Sequence, residues 1–136
     1  MIVIVGSKGL WPTPALASTI LSIIISTDAP VGVRFRVGVE TSMTETLANK
    51  IANRVGREVS VWKVSPSDGS AAGFLRDIRM VTEASHVYAF FGPGEEMTGG
   101  TGHVVEVALR RGVPVTAYHL DPTGNVVEFA SEEALA

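Results

Sequence analysis

The alternation of strand-like and helix-like stretches along this chain predicts an α/β fold with a mostly parallel five-stranded sheet. Three observations carry that prediction. The chain starts with the continuous apolar run MIVIV, rich in β-branched residues, which suits a central strand covered on both faces. Strand-like runs then alternate strictly with stretches of helical periodicity. Finally, residues 86–115 read as a strand, a glycine-rich loop, a helix and another strand.

The elements follow in order. Residues 1–5 form the first strand, and Gly6-Ser7-Lys8-Gly9 turns away from it at once. Thr13 caps a first helix with Pro14 in its opening turn, carrying Leu16, Ile20, Leu21, Ile23 and Ile24. Residues 33–39 are the second strand. Ser42-Met43-Thr44-Glu45 has the capping-box pattern, and Leu47, Ala48, Ile51, Ala52 and Val55 follow at helical spacing until Gly56 stops the helix. Residues 59–64 are the third strand and 65–70 a polar loop. A third helix spans 71–83, with Phe74, Leu75, Ile78 and Val81 as its core face. Residues 86–91 form the fourth strand and 113–118 the fifth, with a further short strand at 126–129 after the Pro122-Thr123-Gly124-Asn125 turn. The acidic end, 131–136, is expected to fray. The pattern is that of a Rossmann-like, doubly wound three-layer sandwich, one domain over residues 1–130.

Bulk properties narrow the function. A chain of 136 residues buries roughly two-thirds of its unfolded surface and needs no staple. With no cysteine, disulfides and thiolate metal sites are excluded, and His86, His103 and His119 lack metal-ligand spacing. No metal or cofactor is expected. A net charge of −3 without a basic block argues against dedicated nucleic-acid binding. The apolar run at 15–25 is too short to cross a bilayer, and no secretory signal is evident. A soluble cytoplasmic protein is expected.

The chemistry concentrates at the C-terminal ends of the strands, where open α/β sheets hold their ligands. The loop 92–102 carries Gly at 92, 94, 99, 100 and 102, and feeds a helix expected to start near His103 and to stop at Arg110-Arg111-Gly112. Backbone N–H groups at such a helix start, aided by the helix dipole, bind anions. Gly99, Gly100, Thr101 and Gly102 are the expected phosphate cradle, with a hydroxyl from Thr101. Gly6, Ser7 and Lys8 lie on the first crevice turn, where Lys8 can meet a phosphate. Glu106 is expected one turn inside the helix. Arg76 and Arg79 stand at i and i+3 on the third helix and can point together.

Two motifs carry a family resemblance. The loop Thr98-Gly99-Gly100-Thr101-Gly102-His103-Val104-Val105-Glu106 resembles the P-G-G-x-G-T-x-x-E pattern of the lonely-guy phosphoribohydrolases, and Arg76-Asp77-Ile78-Arg79-Met80 resembles their R-x-x-x-M helix. Thr98 stands in place of Pro and His103 in place of Thr. Small bacterial and phage relatives show G-S-R, A-G-x-x-R-N and A-x-x-x-G-x-P-V. This chain has Gly6-Ser7-Lys8, Ala72-Gly73-Phe74-Leu75-Arg76-Asp77 and Ala108-Leu109-Arg110-Arg111-Gly112-Val113-Pro114-Val115. The chain thus resembles the SLOG superfamily of Rossmann-like nucleotide-binding proteins, which also includes DprA-type proteins, over residues 1–118. Its second turn, Gly38 to Thr44, departs from the relatives' G-G-A-x-G-A-D.

The resemblance implies a nucleotide-like ligand and, in its enzymatic form, metal-independent cleavage of an N-glycosidic bond. Glu106 would stabilise or trap the sugar cation, and Arg76 would face the nucleotide and support that acid. Against this, Glu106 equally fits a helix-dipole carboxylate, His103 an exposed N-cap rather than a ligand contact or proton donor, and Arg76 or Arg79 a surface ion pair. A hydrolase, a nucleotide-sensing or sequestering module, and a structural subunit with a vestigial site all remain open. The resembling families form homodimers through helices beside the site, and the apolar first helix suits such a contact.

Overall fold

The computed structural model of the protein describes residues 2–6, 21–22, 32–36, 43–62, 65–91, 99–120 and 126–130. Its strands are β1 (Ile2–Gly6), β2 (Gly32–Arg36), β3 (Glu58–Trp62), β4 (His86–Phe91), β5 (Val115–Leu120) and β6 (Val126–Ala130). Its helices are α1 (Met43–Arg54), α2 (Ala72–Val81) and α3 (Gly99–Arg110), with a 3₁₀ helix at Pro66–Ala71 in place of the expected polar loop. Leu21 and Ser22 are helical as well. The rest of the expected first helix, Ser7, Lys8, Trp11, Ser42, the loop 92–98, and the tail 131–136 lie outside the described residues.

The fold is α/β. Its strands form one sheet in the order β3-β2-β1-β4-β5-β6. β1 pairs in parallel with β2 and β4, β2 with β3, and β4 with β5. β6 runs antiparallel along β5, so the expected short strand at the C-terminal side becomes the sheet edge. The chain moves from β1 outward through β2 to β3, then returns to the other side of β1 for β4. The direction of winding therefore reverses between β1 and β4.

Packing explains why these strands sit centrally. Ile2, Val3, Ile4 and Val5 are all inaccessible to solvent, so β1 is covered on both faces. Val3 and Val5 join Val87, Ala89 and Phe91 of β4 and Val115 and Ala117 of β5 in one cluster, filled from outside by Met80 and Val81 of α2 and by Val104, Val105, Val107 and Ala108 of α3. Ile2, Ile4, Tyr88 and Phe90 alternate with these and are also buried. The core stripe of α1 is Ala48, Ile51 and Ala52. Val55, expected in that stripe, follows the end of the helix and is half exposed.

The ends of α1 and α3 obey their glycine signals. Gly56 and Gly112 are left-handed, at φ 74° and 73°. Arg57 N–H donates to the Ala52 carbonyl and Gly56 N–H to that of Asn53. Val113 and Gly112 repeat the pattern on Ala108 and Leu109. α2 stops differently: Thr82 Oγ1 donates to the Ile78 carbonyl at 2.8 Å, and Glu83 takes the left-handed conformation that glycine supplies elsewhere.

Two expectations need correction. The helix after β4 begins at Gly99, not near His103. Glycine is a poor helix former, which is why periodicity alone delays the start. Thr101 and Gly102 are buried, so tertiary contact holds the first turn helical. On α2 the buried residues are Asp77, Met80 and Val81, whereas Phe74, expected in the core, is more than half exposed. The helix is rotated so that an acid occupies the inner face.

Candidate functional site

The site is built where the sheet reverses. Gly6 closes β1 in register with Phe90 of β4, so it belongs to the buried end of the strand rather than to the turn beyond it. α3 is the next described helix after β4. The first N–H groups of a helix have no carbonyl four residues back to accept them, and at the start of α3 they include those of Gly99 and Gly100. Thr101 is buried and holds an interaction within the protein, so it is not an open group of this turn.

α2 and α3 pack side by side, and Asp77 joins them. Its Oδ1 accepts from Arg76 Nε at 3.0 Å, and its Oδ2 pairs with His103 Nδ1 at 2.9 Å. Asp77 is only 3% exposed, which makes the two bonds obligatory. Arg76 is thereby fixed through its Nε. Its two Nη groups have no partner among the described residues and remain available as a fork for an anion. The His103 ring lies against the exposed Phe74, with centroids 4.4 Å apart and planes tilted by 35°. His103 Nε2 is buried and has no hydrogen-bond partner among the described residues.

The remaining expected residues fall elsewhere. Because α3 starts at Gly99, Glu106 stands in its second turn rather than its first, on the solvent side, paired with the exposed Arg110 one turn on. Arg79 does not join Arg76. It donates to Asp68 of the 3₁₀ helix at 2.7 Å, and that hydrogen bond, with the carboxylate charge, holds the guanidinium above its ordinary pKa. Met80 is buried in the core cluster. So Arg76, His103 and the glycine turn belong to one neighbourhood, while Arg79 and Glu106 each hold a separate ion pair.

Asp77 is the residue that sequence reasoning underrates. As a helical acid next to an arginine it reads as a surface partner. Its signal was positional: it stands four residues before Val81 and three before Met80, on the apolar stripe, where an acid needs a buried partner. Among the described residues no helix is long and apolar enough to cross a membrane, and no cluster of three metal-ligating side chains occurs. No protein-family model matches the chain, and no curated protein matches it.

Proposed function

We propose that this chain is a Rossmann-like domain, SLOG-like in its motifs, that binds a nucleotide or nucleotide-derived ligand. The phosphate would sit at the first turn of α3, against the backbone of Gly99 and Gly100, with the Arg76 fork as its side-chain partner. The observation that carries this reading is the relay Arg76–Asp77–His103, which ties the guanidinium of α2 to the start of α3. The reversal of strand order between β1 and β4 supports it, since open sheets of this kind bind ligands at that point.

A second reading is N-glycosidic hydrolysis of a nucleoside monophosphate: the bond from the sugar C1′ to the base breaks, water adds to C1′, and the base leaves with a proton. Glu106 would then face the sugar cation. Its solvent-facing pair with Arg110 favours binding without hydrolysis. Thermal shift with AMP, CMP, GMP and UMP tests the first reading; no stabilisation by any of them overturns it. Incubation with the same four, followed for free base, tests the second. Release that disappears in E106A supports hydrolysis through Glu106, and release that survives in E106A removes that residue from the chemistry.

A further inference from the structure

The least explained polar atom among the described residues is His103 Nε2. It is shut off from solvent and has no partner, in a fold whose other described buried side-chain polar atoms are paired. Buried polar atoms are nearly always satisfied, so an orphan marks a place where something else binds. The neighbours of the ring define what that is. Asp77 is shared between Arg76 Nε and His103 Nδ1. The contact to Asp77 fixes Nδ1 as the ring nitrogen that faces the carboxylate. In the neutral tautomer that donates Nδ1–H there, Nε2 carries the lone pair, and the orphan is then an acceptor that wants a donor.

Phe74 offers a route by which the ring can be reached. Its ring packs on the His103 ring at 4.4 Å, yet Phe74 is 54% exposed and lies outside the core cluster. A surface side chain changes rotamer quickly, so the ring can turn aside without disturbing the sheet. The same helix then presents an aromatic face, a guanidinium fork and, through Asp77, the imidazole acceptor.

We propose that His103 Nε2 accepts a hydrogen bond from an N–H or O–H donor on the nucleoside part of the ligand, exposed when Phe74 turns aside, and that Asp77 is the positioning residue that sets this tautomer. The proposal rests on the nucleotide-binding reading and adds the chemistry of recognition to it. Phosphate is held by Arg76 and the glycine turn; the nucleoside is selected by His103. The donor is either a ribose hydroxyl or an exocyclic amine of the base.

The test begins with nitrogen NMR of the histidine rings in the unliganded protein. The expected signature for His103 is a protonated Nδ1 and a bare Nε2, with the Nε2 resonance moving when AMP is added. In D77N, Arg76 Nε retains the amide oxygen, so the amide NH₂ faces Nδ1 and the proton moves to Nε2. H103N, whose side-chain amide can still donate to Asp77 but which has nothing at the Nε2 position, is expected to weaken AMP binding at least about tenfold more than it weakens binding of inorganic phosphate. The AMP loss between wild type and H103N should vanish with 2′-deoxy- or 3′-deoxy-AMP if a ribose hydroxyl is the donor, and with IMP if the amine is. A wild-type ring protonated at Nε2, or AMP and phosphate weakened alike in H103N, overturns the recognition role and leaves nucleotide binding standing. Failure of AMP and phosphate alike to bind the wild type overturns both.

Discussion

Asp77 and His103 are 26 positions apart in the chain and 2.9 Å apart in space. The contact fastens α2 to α3 through a buried carboxylate that also holds Arg76. Because Asp77 lies on the inner face of α2, it cannot exchange these partners for water when one is lost.

D77A should therefore be among the more damaging polar substitutions in the domain. It removes two charge-assisted bonds and strands an arginine and an imidazole in a poorly hydrated place. A loss of about 3 kcal/mol is expected, read by urea unfolding. D77N keeps the shape and both bonding positions and should lose less than half of that. Equal losses in the two variants would assign the whole effect to the carboxylate charge and none to the shape and bonding positions that D77N keeps.

Arg76 offers a sharper test of function. R76K preserves the charge but cannot hold Asp77 through Nε and present a fork at the same time. Phosphate and AMP should both bind about tenfold more weakly to R76K, measured by calorimetry at fixed salt. Unchanged affinity would place the anion away from this guanidinium.

Glu106 should behave as a surface residue toward stability. Its partner Arg110 is one turn away on an exposed face. E106Q is expected to change the unfolding free energy by no more than about 0.5 kcal/mol. A clearly larger loss, seen in the same urea titration, would require an inward role for this carboxylate that the α3 orientation does not provide.

These differences show which parts of the molecule local sequence could specify. The strand MIVIV, the helix stops at Gly56 and Gly112, and the strand at 86–91 follow from apolar runs and backbone freedom, which are local properties. Local sequence places the start of α3 too late because glycine has poor intrinsic helicity, and burial of Thr101 and Gly102 decides the matter from a distance. The face of α2 was misassigned for a related reason. Periodicity counts Phe74 as apolar and Asp77 as polar, but the helix turns inward the residue whose partners wait on α3. Motif spacing singles out Arg76 and the glycine turn as candidates. It does not show the aspartate that joins them through His103, because that bond spans two helices.

The helix ends give a pair of predictions of opposite sign. Gly112 is left-handed at φ 73°, and a Cβ added there would meet nothing within 4 Å. Crowding plays no part, so G112A isolates the backbone term. An L-residue in this conformation costs roughly 1–2 kcal/mol, partly offset by the lower entropy of the unfolded chain. A net loss of about 1 kcal/mol is expected, or a few degrees in Tm. Glu83 is the converse case, an exposed L-residue at φ 65° where α2 ends. E83G relieves the same conformational cost but frees the unfolded chain, so the gain should be smaller, up to about 0.5 kcal/mol. The two variants measured together by thermal unfolding should move in opposite directions. If G112A is neutral, Val113 and Gly112 do not hold the carbonyls of Ala108 and Leu109 in solution, and the end of α3 is looser than its hydrogen bonds require.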